Sequence, residues 1–284
     1  MSYRFYQSYR FHQPYLSYRS YLPYQSYRSY QSYPSYSSYP SHESHTPVFL
    51  SVIIPAYNEV RRLPLTLVDI NRHLSHGDFS YEIIVVNDGS TDATAEAAKR
   101  LAHVIGNLRV VDNPVNHGKG WAVRQGMLEA KGEWRLFTDA DNSTSIEHFG
   151  KMRPYLKDYD IIIGSRDIAG AKLVPPQPFY KRILGNMGNL LIQFLLLPGL
   201  WDTQCGFKCF SAEAAEKIFS RTKVNRWAFD AEALALARKF HYKIKEIPVT
   251  WVNHPDSKVK LGGYLKSLWE VLKIKWWIML NSYY

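Results

Sequence analysis

From residue 48 onward the chain alternates apolar runs with stretches of helical spacing, and most of the apolar runs close on Pro, Asn, Asp or Gly. "VFLSVIIPAYNE", "YEIIVVNDGS", "LRVVDNP", "EWRLFTDAD" and "YDIIIGSR" read as strands, while "LPLTLVDINRHL", "DATAEAAKRLAHV", "KGWAVRQGMLEA" and "SIEHFGKMRPYL" read as helices. Strands that are apolar throughout and alternate with helices predict an α/β fold with a Rossmann-like, mostly parallel sheet covered on both faces. Ligands of such sheets bind beyond the carboxyl ends of the strands. The polar clusters fall at those ends: Asn58 and Glu59, then Asp88, then Asp139 and Asp141, then Arg166. One polar cluster is an ordinary turn; four along one edge predict a site.

The first 46 residues follow another rule. A Ser-Tyr-x triplet places a tyrosine at every third position from Tyr15 to Tyr39, and the segment holds 12 of the 21 tyrosines. With almost no aliphatic residues it cannot offset its ordering entropy, so 1–46 reads as a disordered low-complexity tail. It is either a Tyr/Arg surface for a membrane, a nucleic acid or itself, or a repeat without a role. It lacks the apolar stretch of a signal peptide. Residues 47–260 then form the α/β domain and 261–284 a basic, aromatic C-terminal helix.

Charge changes this picture modestly. The net charge is +10, of which the tail supplies +3 (four arginines less Glu43), so the rest is basic by about seven charges. Such a surface suits an anionic partner such as a nucleotide, a lipid phosphate or a bilayer. Cys205 and Cys209 stand four apart in "QCGFKCF" with no second pair, which predicts half-buried thiols rather than a metal site.

"LFTDADNSTS" carries the sharpest chemistry. Asp139 and Asp141 stand two positions apart, a spacing at which residues on a strand share a face, and a hard divalent cation reconciles two such carboxylates. Mg²⁺ is held by one or two carboxylates plus substrate phosphates, Mn²⁺ takes similar ligands, and either would neutralise a diphosphate leaving group. The alternative is a turn whose "NSTS" caps the helix starting at Ile146.

Two further stretches point to a membrane surface. "LLIQFLLLPGLW" is too short to span a bilayer and fits either an interfacial helix or a core helix. "YLKSLWEVLKIKWWIMLNSYY" mixes Trp269, Trp276 and Trp277 with Lys266, Lys273 and Lys275, as a helix lying on an anionic surface would, or one packed on the domain.

"VIIPAYNE", "VVNDGSTDAT", "NHGKGWAVRQGM" and "FTDADNST" resemble the donor-binding half of the family 2 inverting glycosyltransferases, which have the GT-A fold. "GSRDIAGA", "DTQCGFKCF" and "RWAFDAEALALA" are similar to the branch that glycosylates polyprenyl phosphates, the dolichyl-phosphate β-glucosyltransferases in particular. The resemblance implies a nucleotide-sugar:polyprenyl-phosphate hexosyltransferase that takes UDP-glucose and Mg²⁺ or Mn²⁺. It sets Pro55, Ala56, Tyr57, Asn58 and Glu59 around the uridine, Asp88 on uracil or ribose, and Gly118 and Lys119 beside the nucleotide. Asp139 corresponds to the donor-binding aspartate and Asp141 to the metal ligand; Ser143 stands where some mannosyl relatives carry a metal-binding glutamine.

A lipid phosphate is already ionised near neutral pH and needs no general base. The enzyme has to gather anions instead. Arg166, Lys181, Arg182 and Lys208 are the cations expected to do so, Lys208 toward the donor and Arg166, Lys181 and Arg182 toward the lipid phosphate, with Arg166 counted among the catalytic residues beside Asp139 and Asp141. Asp202, Gln204, Asp230 and Glu232 are the candidates for the sugar hydroxyls, with Asp230 and Glu232 otherwise placed as helix first-turn acids. The expected protein is peripheral, on the cytoplasmic face of a membrane, with no nucleic acid partner. Mannose transfer from GDP-mannose, a polysaccharide-type family 2 enzyme, an inactive scaffold and a tail-mediated nucleic-acid binder are the alternatives. Against the polysaccharide type, Lys223 stands where its Gln-x-x-Arg-Trp motif needs glutamine, ahead of Arg226 and Trp227.

Overall fold

A computed structural model describes residues 47–176, 188–253 and 261–283. The reading of 1–46 and the roles expected of Lys181 and Arg182 lie outside the described residues.

The regular part opens with β1 (Leu50–Ala56), α1 (Leu63–Leu74), β2 (Tyr81–Asp88), α2 (Thr94–Ala102), β3 (Leu108–Asn113), α3 (Lys119–Glu129) and β4 (Trp134–Thr138). α4 (Phe149–Met152), β5 (Ile161–Ser165), β6 (Lys172–Val174), helical residues 188–195 (α5) and β7 (Phe207–Ser211) follow. α6 (Ala212–Phe219), α7 (Phe229–Lys239), β8 (Ile244–Pro248), β9 (Thr250–Val252) and α8 (Leu261–Met279) complete it. Seven strands form one sheet in the order β3-β2-β1-β4-β7-β5-β8. All neighbours pair in parallel except β7, which runs antiparallel between β4 and β5. β6 and β9 pair separately, in parallel.

The sheet is apolar on both faces, as the unbroken runs predict. Ile53, Ile84, Val86 and Phe137 point into the core shared with α3, α6, α7 and α8. Their neighbours Val52, Ile54, Ile83, Val85 and Leu136 point into the core under α1, α2 and α4. This alternation follows from the two-residue repeat of a strand. The order 3-2-1-4 reverses direction beside β1, which opens a crevice between the ends of β1, β2 and β4.

Three sequence expectations need correction. The helix predicted from Ile146 is broken into a 3₁₀ turn (Ile146–His148), one turn of α4 and a second 3₁₀ turn (Arg153–Tyr155). Pro154 has no N–H for an α-helical bond and clashes with the preceding turn, so a regular helix cannot pass it. Ser145 does cap the start, accepting from the Glu147 N–H at 3.3 Å. Cys205 precedes β7 rather than lying in it, and both thiols are free and fully buried. Burial pushes the Cys205 thiol up to about 12 and Cys209 up as well. Finally, "LLIQFLLLPGLW" is neither wholly core nor wholly surface: Ile192 and Leu197 are buried, whereas Leu190 and Phe194, one helical turn apart, are exposed. Among the described residues no helix is long and apolar enough to cross a membrane.

Candidate active site

β1 and β2 end side by side, and their polar ends build the first wall. Pro55 and Ala56 are still strand, Tyr57 stands exposed, and Asn58 takes a left-handed conformation (φ 55°) that an Asn side chain tolerates. Asn58 N–H donates to Ser90 Oγ (3.0 Å), and its side-chain oxygen accepts from Thr91 N–H (2.8 Å), which ties the two strand ends together. Glu59 accepts two bonds from the Arg62 guanidinium, at 2.6 and 2.7 Å. Asp88 is buried, and its carboxylate accepts from Asn116 Nδ2 (2.9 Å), His117 N–H (2.8 Å) and Gly118 N–H (2.8 Å). Here it pins the loop leading to α3. Gly118 follows at φ 113°, and a Cβ there would collide with the Asn225 carbonyl, so only glycine fits.

Asp139 and Asp141 lie just past the end of β4, on a turn rather than on the strand itself. The shared face inferred from strand geometry is therefore not the cause of their proximity to the edge; the tight turn after Thr138 is. Each meets a cation from another element. Lys119 Nζ lies 2.6 Å from Asp139 Oδ1, and Arg62 Nη1 lies 3.4 Å from Asp141 Oδ2. Asp141 also accepts from Ser143 N–H at 3.0 Å. Burial pushes the Lys119 ammonium down, but Asp139, Asp230 and Asp141 outweigh it and hold its pKa above the ordinary lysine value. Gly206 makes room for this arrangement, since a Cβ on it would land inside the Asp139 carboxylate.

The donor set fits a hard divalent ion. Both carboxylates are partly exposed, at 30% for Asp139 and 22% for Asp141, so their oxygens remain open to the crevice. Among the described residues no cluster of three or more His, Cys, Asp or Glu is present. Two carboxylates without a third protein ligand suit Mg²⁺ or Mn²⁺ completed by phosphate oxygens and water.

The second wall comes from residues 166–232. Asp202, buried, takes the Arg166 backbone N–H (2.8 Å), Nε (2.7 Å) and Nη2 (2.9 Å). Burial alone would raise its pKa, yet the bidentate guanidinium holds it below the ordinary aspartate value. Arg166 also lies over the Trp251 ring at 5.6 Å. Gln204 is exposed on the same loop, its N–H donating to Asp202 at 3.2 Å. Lys208 is fully buried in β7; its ammonium bonds Asp230 Oδ1 at 2.6 Å and the Cys205 carbonyl at 2.5 Å. Burial raises the Asp230 pKa, with Lys208 and Lys119 opposing. Glu232 is different. Fully buried, it accepts from Lys223 N–H and Val224 N–H (both 2.9 Å) and from the Tyr283 hydroxyl (2.7 Å), so it fastens the 223–224 backbone instead of facing a sugar.

Arg62 and Gly206 were not singled out by sequence, and the loop 222–228 was read there only for its lack of a Gln-x-x-Arg-Trp motif and for the family resemblance, not for its contacts. The Glu59–Arg62 spacing was a local signal, but nothing in sequence links Arg62 to Asp141, 79 positions on. The loop rests on α3 through Gly120 N–H to Arg226 O (3.2 Å) and Trp121 N–H to Asn225 O (3.1 Å).

Comparison with known proteins gives the family and the fold. The Glycosyl transferase family 2 description matches residues 51–219, well over half of the chain. Dolichyl-phosphate beta-glucosyltransferase of Dictyostelium discoideum is 38% identical over 248 residues, 82% of this chain and 76% of that protein. The Homo sapiens protein of the same name is 37% identical over 224 residues, covering 74% and 69%. In structure, Mycobacterium tuberculosis glucosyl-3-phosphoglycerate synthase in complex with Mn²⁺, UDP-glucose and phosphoglyceric acid superposes with a TM-score of 0.61 over 80% of each chain. At 18% identity that likeness shows the fold, a GT-A glycosyltransferase fold. The chain belongs to glycosyl transferase family 2 and, within it, to the dolichyl-phosphate β-glucosyltransferase branch.

Proposed function

We propose that the protein transfers glucose from UDP-glucose to a dolichyl-type polyprenyl phosphate with inversion, releasing UDP and leaving a β-linked glucosyl phosphate lipid. The observation that carries this reading is the pair Asp139 and Asp141 at the end of β4, each faced by a cation from a different element. Mg²⁺ or Mn²⁺ bound there by Asp141 with Asp139 would offset the charge of the departing diphosphate. Lys119 adds a positive charge to the same edge, while Tyr57, Asn58 and the loop pinned by Asp88 form the uridine wall. Pro55, Ala56 and Glu59 shape that wall from behind. Arg166 is oriented by Asp202 through Nε and Nη2, which leaves Nη1 for the incoming lipid phosphate. Lys181 and Arg182, outside the described residues, are assigned to the same phosphate from their sequence. The lipid phosphate attacks as an anion, so Asp202 and Asp230, each tied to a cation, serve as positioning groups and not as bases.

Gln204, exposed beside Asp202, is the group we assign to a glucose hydroxyl; Asp230, expected there from sequence, is buried against Lys208 and is not open to the sugar. Mannose has one hydroxyl turned axial, and a buried bond left unmade there costs about 1–3 kcal/mol. The protein acts as a peripheral membrane protein on the cytoplasmic face. The test is a panel of radiolabelled UDP- and GDP-sugars with polyprenyl phosphate and chromatography of the lipid product. UDP-glucose should give the highest kcat/KM; faster turnover of GDP-mannose would overturn the glucosyl assignment. Arg182→Ala should raise KM for the lipid far more than for the nucleotide sugar.

A further inference from the structure

α8 has two apolar sides, and the fold uses one of them. Projected at about 100° per residue, Leu268, Trp269, Leu272, Trp276, Met279 and Leu280 fall within an arc of about 120°, and each is at least 38% exposed. Val271 and Ile274 on the opposite side are buried against the domain. Lys266 and Lys273 border the outer arc on one flank and Lys275 on the other, all exposed. An apolar stripe between lysine rows fits an anionic lipid interface, with stems in the apolar layer and ammonium groups among phosphates. A second copy fits worse, because two such faces would bring like charges together. The groove where α8 meets α5 and α7 repeats this chemistry: a space of about 440 Å³ walled by Leu195, Leu196 and Ile278, with Arg238, Lys239 and Lys275 beside them.

The inner side of α8 reaches the donor edge. Glu270 accepts from Ala228 N–H at 3.0 Å, and just beyond the helix the Ser282 carbonyl accepts from Lys223 Nζ at 2.6 Å. Tyr283 holds Glu232, which in turn holds Lys223 and Val224. Both ends of loop 223–228 are thus fastened to α8 and its terminus. The middle of that loop sits on α3 through Asn225 and Arg226, against the glycine that precedes Lys119.

We propose that docking of the outer face of α8 on an anionic membrane and nucleotide binding at the Gly118–Lys119 edge are thermodynamically coupled through loop 223–228. The proposal rests on the donor reading above. Burying the outer stripe in lipid favours only the ordered, seated helix, so opening of α8 and of the loop it fastens becomes rarer. An edge ordered in advance binds nucleotide without that ordering cost. Linkage then requires nucleotide to tighten membrane binding by the same factor.

Titration calorimetry of the full chain with UDP and Mg²⁺ tests this, lipid-free and on phosphatidylcholine vesicles with or without phosphatidylserine. The UDP Kd should fall about fivefold or more on phosphatidylserine vesicles, and UDP should lower the lipid concentration for half-binding by the same factor. Trp269→Ser with Trp276→Ser should abolish vesicle binding and leave the lipid-free UDP Kd unchanged. Glu270→Ala with Tyr283→Phe should keep vesicle binding and lose the effect on UDP. An unchanged Kd on vesicles that sediment all of the protein overturns the coupling, as does full coupling in the Glu270→Ala, Tyr283→Phe variant. Failure to bind UDP in any condition would instead sink the donor reading.

Discussion

The chain carries two acid pairs of identical spacing near the candidate site, Asp139 with Asp141 and Asp230 with Glu232, and the fold treats them in opposite ways. The first pair sits on the turn after β4, where both carboxylates stay partly exposed and meet Arg62, just ahead of α1, and Lys119 at the start of α3. The second pair opens α7, where residues two apart diverge by about 200°. Asp230 turns to Lys208 under the crevice, and Glu232 turns away to the 223–224 backbone and Tyr283. The same spacing therefore means a shared site at a strand end and a division of labour on a helix. One pair is left open for a ligand; the other is closed by internal bonds.

The largest expected effect tests the open pair. Asp141→Asn should abolish glucosyl transfer while leaving the circular dichroism spectrum and Tm near those of the wild type, because the residue is partly exposed and its loss removes ligand charge rather than packing. Substantial Mn²⁺-dependent turnover in this variant would remove Asp141 from the metal site and erase the contrast with the second pair.

Next comes the closed pair. Lys208→Met strands Asp230 as a buried carboxylate without its partner, and such a break costs about 3–5 kcal/mol. Urea unfolding should show that loss, and Lys208→Met combined with Asp230→Leu should recover much of it. A single variant as stable as the wild type would mean that Lys208 points to the ligand after all.

A smaller effect, about 1–3 kcal/mol, is expected for Glu232→Gln, which trades a carboxylate holding three donors for an amide that cannot accept from all of them. Its pH dependence is specific. Burial, opposed by its hydrogen bonds, holds the Glu232 pKa above 4.5 in the folded state. Its contribution is then fully present below pH 4.5 and is lost as pH rises through the folded value. The stability gap between wild type and Glu232→Gln should narrow upward from pH 4.5; a gap that widens would show the carboxylate to be better solvated than its burial implies.

The smallest effect belongs to the outer face of α8. Trp269→Ser alone should change Tm hardly at all, since an exposed side chain away from caps and networks contributes within about 0.5 kcal/mol. A large drop would mean that this face is covered by the fold and is not left for lipid.

These contrasts also mark how far the sequence could be read. Strands β1, β2 and β5 were legible because each is a nearly continuous apolar run buried on both faces, while β3 and β4 were legible from short apolar cores that end in polar turn residues. The antiparallel insertion of β7 was not, because "GFKCFS" pairs with residues 69 to 77 positions earlier in β4 and 45 to 49 earlier in β5, and its register has no local signature. Asp139, Asp141 and Lys119 were legible as residue types at strand and helix ends. The task of Glu232 was not, since its partners are a backbone turn nine residues back and a tyrosine 51 residues on. Arg62 joined the site for the same non-local reason.

Of the molecule's features, the two thiols have the most practical consequence. Cys205 and Cys209 are the whole cysteine content of the chain, both lie at zero exposure, and the first has its ionisation pushed up to about 12. Thiolates are the reactive species, so neither will take a maleimide or nitroxide at neutral pH while the protein is folded. A single cysteine placed on the outer face of α8 would then be the one labelled position, and a fluorophore or spin label could report bilayer depth without first stripping the native cysteines from the core.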